Sequence, residues 1–396
     1  MTSEQVSLNI APARPAPWRD PRIRGVAYQV VFVAAVAGFA AFLLHNMLGN
    51  ISRQHIATGF GFLRKEAAFG IGESLIAYSP ADTYGRAFLV GLTNTLYVAA
   101  IGIVLATILG TVMGLARLSS NWLIAKLAQI YVETFRNIPL LLQLFFWWGL
   151  LNTVAPSPRQ AWQILPDVFV SNRGIAFPVP VGNPAYGWIG IAFVVGALLV
   201  ISLRRWAALR QAATGRQFPT GWVGLGLILG LPLIVFLAFG APFALNAPAL
   251  RGFNFSGGTT VSPEFTALLL GLVIYTGTFI AEIVRAGILA VSWGQSEAAM
   301  ALGLKSGQRM RLVVLPQALR VIIPPMTSQY LGIAKNSSLA VAIGYPDLVS
   351  IANTTMNQTG QAVEGIMMIM AVYLCISLAI SLAMNLYNRA VALVER

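Results

Sequence analysis

The stretch that decides the fold is residues 296–316, SEAAMALGLKSGQRMRLVVLP. Long apolar runs stand on both sides of it, yet it carries Glu297, Lys305, Arg309 and Arg311, with glycines at 303 and 307. A short polar helical segment between two apolar runs is either a plain interfacial connector or a surface that contacts another molecule.

The composition places the chain in a membrane. Of its 396 residues, 57% are hydrophobic and 10% are charged, whereas a soluble domain has about 25% charged residues. The mean hydropathy is +0.73. The net charge of +13 does not indicate nucleic-acid binding, because that function needs a basic face on a soluble body. The sequence therefore predicts an integral membrane protein.

Runs of about 20 apolar residues predict transmembrane helices. Eight are expected, at about 26–44, 88–115, 130–152, 187–203, 222–245, 266–290, 321–344 and 366–388. With the N-terminus in the cytoplasm, most of the 26 lysines and arginines fall on the cytoplasmic side, as the positive-inside rule requires. Both termini are then cytoplasmic. The loops 45–87, 153–186 and 246–264 are then periplasmic caps or docking surfaces.

Sequence motifs for catalysis are absent. The chain has no phosphate-binding G-x-x-x-x-G-K-[ST], no H-E-x-x-H and no G-x-S-x-G. The single cysteine, Cys375, and the two histidines, His45 and His55, have no metal-ligand spacing. We therefore expect no enzymatic activity, no catalytic residue, no metal and no cofactor on this chain.

The polar segment predicts two short helices. Ser296 is a good N-cap and Glu297 suits the positive helix N-terminus, while Gly303 is a natural stop and Ser306 can cap a second helix. The first helix would have about six residues, which is unstable alone in water. It must therefore dock on something, and its small side chains permit close approach: Ala298, Ala299 and Ala301.

The whole segment resembles the EAA motif of ABC-importer permeases. The match consists of Glu297-Ala298-Ala299, Gly303 and Leu315-Pro316 at the family's spacing. In that family the short helix is the coupling helix, which sits in a groove of a separate ATPase subunit. The resemblance implies that ATP and Mg are bound by the partner ATPase and not by this chain.

Further segments resemble the polar amino-acid (histidine permease-like) family. They are LTNTLYVAAIGIVLATILGTVMGLARLS (92–119), YVETFRNIPLLLQLFFWW (131–148), FIAEIVRAGILAVSWGQSEAAMALG and LGIAKNSSLAVAIGYPDLV. Typical members have five spans. This chain adds a first span and an insertion with two more, which resembles the Q-type permease subunits of bacterial general L-amino acid transport systems.

The resemblance implies an all-α type I importer fold with five core helices, one N-terminal helix and two inserted helices. The implied partners are a second permease subunit in a heterodimer, two ATPase subunits and a periplasmic amino-acid-binding protein. The implied setting is the bacterial inner membrane, and the implied substrates are L-amino acids of broad specificity. The predicted divisions are a cytoplasmic tail (1–25), an extra span with a periplasmic loop (26–85), the first core part (86–152), the insertion (153–263) and the second core part (264–396), with the coupling loop at about 291–317.

Lys335 is the candidate for the substrate pathway, because a lysine at a span centre costs about 2.5–3.5 kcal/mol on insertion scales. We expect it to face the bundle interior and meet an anion such as a substrate carboxylate, with Asn336 and Ser337 nearby. Two alternatives are that it snorkels to an interface or pairs with an acid of another span. Gln143 and Asn94 either line the pathway or satisfy backbone or helix–helix hydrogen bonds.

Two pairs with i,i+3 spacing, Glu133/Arg136 and Glu282/Arg285, lie one in each matching part of the core. Both members of each pair share a helix face, which favours gating or structural clamps over substrate contacts. The alternative function is an ion- or proton-coupled secondary amino-acid carrier, which would need no ATPase.

Overall fold

The computed structural model describes residues 21–53, 58–241 and 243–391. The predicted tail at 1–25 lies mostly outside these residues, and a helix already begins at Pro21. The described part contains twelve α-helices: α1 Pro21–Arg53, α2 Tyr84–Arg117, α3 Trp122–Asn137, α4 Leu140–Thr153, α5 Pro184–Thr214, α6 Thr220–Ala238, α7 Pro263–Leu289, α8 Trp293–Ala301, α9 Ser306–Arg309, α10 Leu315–Asn336, α11 Leu348–Thr359 and α12 Ala362–Val391.

Six of these helices are long and apolar enough to cross a membrane, judged over the described residues alone: α1, α2, α5, α6, α7 and α12. They match six of the eight predicted spans. The prediction of one continuous third span is wrong, because Pro139 divides it into α3 and α4. The predicted seventh span, 321–344, is α10 followed by a 3₁₀ helix at Ser337–Ile343. Pro324 and Pro325 lie inside α10.

The core forms where α2 crosses α7. Gly110 and Gly114 lie one turn apart on α2, and a Cβ at Gly110 would stand 2.5 Å from Cβ of Ile280. A Cβ at Gly114 would stand 2.7 Å from the Ala281 carbonyl oxygen. Small residues four apart let helix backbones approach closely, which is how transmembrane helices associate without a hydrophobic driving force. This crossing holds together the two core parts that the sequence separates.

The second packing centre lies around α4 and the N-terminal part of α7. Its buried side chains come from α2, α4, α7 and the segment after α10: Val98, Leu140, Leu144, Phe265, Leu268, Leu272, Ile343 and Tyr345. Gly271 lets Leu144 pack closely there, because a Cβ would come within 2.5 Å of Leu144 Cδ2 and displace that side chain. This cluster therefore ties the broken span to the second core part.

The insertion contains β-structure that the sequence analysis did not predict. Its eight strands are β1 Trp162–Leu165, β2 Val168–Ser171, β3 Gly174–Phe177, β4 Val179–Pro180, β5 Leu245–Asn246, β6 Ala249–Arg251, β7 Asn254–Ser256 and β8 Thr259–Val261. One antiparallel sheet has the order β1-β2-β3-β8. α5 and α6 pack against each other as a helical hairpin. The strands before this hairpin pair with strands after it, β4 with β5 and β3 with β8.

Candidate functional site

The EAA segment forms an exposed helix-turn unit. α8 begins at Trp293, with Ser292 in the N-cap position, so the prediction that Ser296 caps it is wrong by four residues. The helix starts earlier than predicted, at Trp293, and Gly294, Gln295 and Ser296 all have helical backbone geometry. The resulting nine residues are still fewer than an independently stable helix needs.

Gly303 ends α8 as predicted. Its φ is +74°, a left-handed conformation that glycine adopts without steric cost. The Gly303 amide donates to the Met300 carbonyl at 2.9 Å, and the Leu304 amide donates to the Ala299 carbonyl at 3.1 Å. These bonds satisfy carbonyl groups at the helix end and turn the chain towards α9.

The outward side of α8 is more apolar than the sequence suggested. Glu297, Ala298 and Gly303 are exposed, and Leu302 is 80% exposed. The prediction that Ala299 belongs to the docking face is wrong: Ala299 is only 3% exposed because α8 packs this side against its own connecting segment. The surface left for a partner therefore combines a carboxylate, small residues and an unburied leucine.

α9 leads into α10 through a π-helical turn at Met310–Val314. The N-cap position of α9 is Lys305 and not Ser306; the Lys305 amide donates to Oε1 of Gln308 at 3.0 Å. Leu315 and Pro316 open α10 directly after the π-helical turn. Motion of α8 would therefore reach α10 through one continuous helical segment.

Lys335 lies level with the middle of α2, but not on the side predicted. Ile333 contacts Gly102 near the middle of α2, so Lys335 is level with the centre of that helix. It is exposed, however, whereas Asn336 is half-buried and Ser337 is fully buried. Lys335 forms no ion pair within the described chain. The expectation that it faces the interior of this chain is wrong, because α10 turns this side outward.

Gln143 occupies the break between α3 and α4. Its Nε2 donates to the carbonyl oxygens of Phe135 at 2.8 Å and Ile138 at 3.0 Å. Phe135 would normally accept from the amide of residue 139, but Pro139 has no N–H. The Gln143 side chain therefore supplies the missing donor, and its contacts are with the backbone of this corner.

Asn94 makes a comparable contact in the N-terminal part of α2. It is fully buried, and its Nδ2 donates to the carbonyl oxygens of Glu73 and Pro346, both at 2.9 Å. Asn94 thus joins the loop before α2 to the segment before α11. These contacts are the backbone alternative for Asn94, and they leave its Oδ1 buried without a protein partner among the described residues.

The two acidic-basic pairs differ in geometry. Glu282 accepts from Arg285, with Nη2 at 2.5 Å, and also from Nη1 of Arg117 at the end of α2. Glu133 instead accepts from Gln129 Nε2 at 2.6 Å, and the Arg136 guanidinium lies 5.2 Å from the Phe279 ring centroid. The described residues therefore contain a three-membered ionic clamp around Glu282 and no ion pair between Glu133 and Arg136.

Arg117 was not predicted as a partner of Glu282. Arg117 ends α2, 165 residues before Glu282, so no short-range spacing connects them. The available signal was the position of both residues at the predicted cytoplasmic ends of spans in the two matching core parts.

A cavity of about 430 Å³ is lined by the loop before α2, the start of α7, the segment before α11 and α11 itself. Two carboxylates, Glu73 and Glu264, line it. Ser262 donates to Glu73 at 2.5 Å, and Trp148 Nε1 donates to Glu264 at 3.2 Å. Burial raises the pKa of Glu73 above its usual range, which the Ser262 hydrogen bond only partly opposes.

Residues 102–393 match the family model for the binding-protein-dependent transport system inner membrane component. The match includes the α2–α7 crossing, the Glu282 clamp and the whole α8–α10 unit. This chain belongs to that family. It is the integral inner-membrane permease subunit of an ABC importer, and membership of the family does not favour the alternative of a secondary carrier.

Three relatives resemble the chain over almost its whole length. The General L-amino acid transport system permease protein AapQ of Rhizobium johnstonii is 51% identical, over 95% of this chain and 94% of its own. The Putative amino-acid ABC transporter permease protein YhdX of Escherichia coli is 52% identical, over 95% and 96%. The Glutamate/glutamine/aspartate/asparagine transport system permease protein BztB of Rhodobacter capsulatus is 41% identical, over 95% and 96%. The extra first span and the insertion therefore fall within the matched length.

Proposed function

We propose that this permease subunit carries L-amino acids of broad specificity into the cell. The support is the similarity over nearly the full chain to relatives named as amino-acid permeases. In this proposal both termini are cytoplasmic, and the five-helix core is formed by residues 86–152 and 264–396. The first span and the insertion at 153–263 are additions to it.

The proposed partners are a second permease subunit, two ATPase subunits that bind ATP and Mg, and a periplasmic amino-acid-binding protein. The single observation that supports coupling to an ATPase is the exposed surface of α8, where Leu302 is 80% exposed beside the exposed Glu297. A helix this short needs a partner to be held in place, and the chain itself has no phosphate-binding loop.

The proposed cycle follows from this arrangement. The loaded binding protein docks on the outer loops, and ATP binding closes the ATPase pair. Their closure moves α8, and the continuous segment from α9 to α10 transmits that movement to the spans. Substrate then passes from the outer to the inner side. This chain catalyses no reaction in the cycle.

We place the substrate pathway between this chain and the second permease subunit. A lysine at mid-depth on the lipid-facing side would cost about 2.5–3.5 kcal/mol, and a partner subunit would remove that cost. Lys335 would then offer its ammonium to the substrate carboxylate, with Asn336 beside it. Ser337, Gln143 and Asn94 would act indirectly, by fixing the backbone around the pathway, and Glu133, Arg136, Glu282 and Arg285 would stabilise its cytoplasmic end.

The deciding experiment compares Gly303→Asp with Gly307→Asp in the assembled transporter in proteoliposomes. Aspartate at 303 must adopt a φ of +74°, whereas Gly307 has no such requirement and a Cβ added there would meet no atom within 4 Å. We expect Gly303→Asp to lower labelled amino-acid uptake by about tenfold or more, the equivalent of about 1.4 kcal/mol, while the chain still inserts and ATP hydrolysis continues. Gly307→Asp should retain uptake.

Undiminished uptake in Gly303→Asp would contradict coupling through α8. Gly303→Asn serves as the uncharged variant of the same shape: asparagine and aspartate both enter the left-handed region more readily than most residues, so the two variants differ mainly in the charge placed at this position. It should recover part of the uptake that Gly303→Asp loses.

A further inference from the structure

The turn of the α5–α6 hairpin carries positive charge that the insertion does not balance. Arg204, Arg205 and Arg210 lie near the end of α5, and Arg216 lies in the connection to α6. Residues 168–263 contain no aspartate or glutamate. None of these four arginines forms an ion pair with any described residue. Their counter-charge must come from outside the described chain.

The register of the hairpin shows where this charge lies. A Cβ at Gly196 would meet the backbone of Leu227 and Ile228, and Gly224 packs against Val200. Continuing this antiparallel register places Arg204 level with the start of α6. The 19 residues of α6 span about 28 Å, close to the hydrocarbon thickness of about 30 Å. The end of α5 therefore projects into the headgroup layer.

Aromatic side chains organise the projecting turn. The Arg210 guanidinium lies 5.2 Å from the Trp206 ring centroid and 6.0 Å from that of Phe218. The two rings meet edge to face at 5.4 Å. Tryptophan is typical of the membrane–water interface, and Trp222 is 80% exposed at the start of α6. A guanidinium held over rings keeps its N–H groups available at its edge.

The arrangement of the arginines identifies the kind of partner. Successive helical residues are about 100° apart, so Arg204, Arg205 and Arg210 point to three sides of α5. The hairpin helices pack chiefly against each other, which leaves these sides open. A protein partner would meet one side only, whereas lipid headgroups surround the hairpin.

We propose that these four arginines, the arginine collar, bind the phosphate headgroups of anionic phospholipids in the cytoplasmic leaflet. Phosphate is a strong acceptor for guanidinium groups, and each basic residue near an anionic surface adds to the attraction. The collar would anchor the insertion at its inner end. This inference depends on the proposed orientation of the chain for the choice of leaflet.

The test reconstitutes the complete transporter in nanodiscs that mix phosphatidylglycerol with phosphatidylcholine. Native mass spectrometry then measures how strongly phosphatidylglycerol is retained over phosphatidylcholine. We expect R204Q/R205Q/R210Q/R216Q to lower that preference by about tenfold or more. The corresponding arginine-to-lysine variant should keep most of it. The matched control R64Q/R159Q/R173Q/R251Q, which removes equal charge from the predicted outer side, should also keep it.

An unchanged preference in the glutamine variant would overturn the proposal. Loss of the ATPase subunits from that variant with an unchanged lipid preference would also overturn it and would assign the collar to a protein partner. Displacement of the bound lipid by millimolar inorganic phosphate would assign it to a free anion. A cysteine introduced as Ala212→Cys, labelled from either side, tests orientation separately, and amino-acid uptake by the unaltered transporter tests the proposed function.

Discussion

Arg117, the last residue of α2, donates to the same carboxylate of Glu282 that Arg285 holds from one turn further along α7. The half-buried Glu282 thus links α2 to α7, two helices that already pack closely at Gly110 and Gly114. Both ion-pair partners of Glu282 are less than one-third exposed, so solvent screens these contacts less than it would at an open surface.

Breaking this clamp should separate α2 from α7 at their ends. Arg117→Ala and Glu282→Gln should each lower the free energy of unfolding by about 1–3 kcal/mol, and the double variant should lose less than the sum. Chemical denaturation of the purified subunit measures all three. Lys126→Ala, at an exposed position on α3, is the control. Strict additivity of the two changes would show that the Arg117–Glu282 contact contributes nothing.

Gln143→Leu should destabilise the α3–α4 corner by about 1–3 kcal/mol, because the Phe135 and Ile138 carbonyls lose their donor. In a Pro139→Ala background the cost should be smaller, since residue 139 regains an N–H that can serve Phe135. Thermal unfolding of the unaltered protein, the two single variants and the double variant gives the comparison. An equal cost in both backgrounds would mean that Gln143 does not replace the missing proline donor.

Gly110→Leu should disrupt the α2–α7 crossing, because its side chain would meet Ile280 and the Gly277 carbonyl. Overpacking of this kind costs about 1–3 kcal/mol or more, and we expect a lower yield of folded subunit and a lower melting temperature. Gly226→Leu on α6, where a Cβ meets nothing within 4 Å, should leave both values unchanged. Equal losses in the two variants would argue against a specific role of this crossing.

Lys335→Ala should lower amino-acid uptake by about tenfold, the equivalent of about 1.4 kcal/mol, without releasing the ATPase subunits. Lys335→Arg keeps the charge and should retain more uptake. Proteoliposome uptake and co-purification measure the two effects. A normal uptake rate in Lys335→Ala would remove Lys335 from the pathway.

Glu73→Gln should stabilise the subunit at neutral and higher pH. Burial raises the folded-state pKa of Glu73, so the ionised carboxylate opposes folding above that pKa. This destabilisation disappears as the pH falls from above the folded-state pKa of Glu73 towards its unfolded-state pKa, because the folded state takes up the proton first. The variant's advantage in melting temperature should therefore shrink on acidification. Glu66→Gln, at an exposed position in the same loop, should show no such trend, and a pH-independent advantage for Glu73→Gln would contradict the mechanism.

The sequence identified what depends on local pattern. Apolar runs gave the long helices, and glycine at 303 marked the end of α8. It did not show which side of a helix faces outward, as Lys335 and Ala299 demonstrate, because that depends on contacts between distant segments. The strands of the insertion were missed for a similar reason: each has two to four residues, too few for an alternating pattern, and they are defined by pairing across up to 86 positions, as for Ile175 and Val261.

The pairing of β3 with β8 has a consequence for engineering. Phe177 and Thr259 are directly opposite partners, so the chain leaves the sheet and returns to it at adjacent points. A two-residue Asn-Gly loop can join antiparallel partners at that separation. Residues 178–258, with both hairpin helices, form a cassette that could be excised or transplanted while the ends of the remaining sheet stay in register.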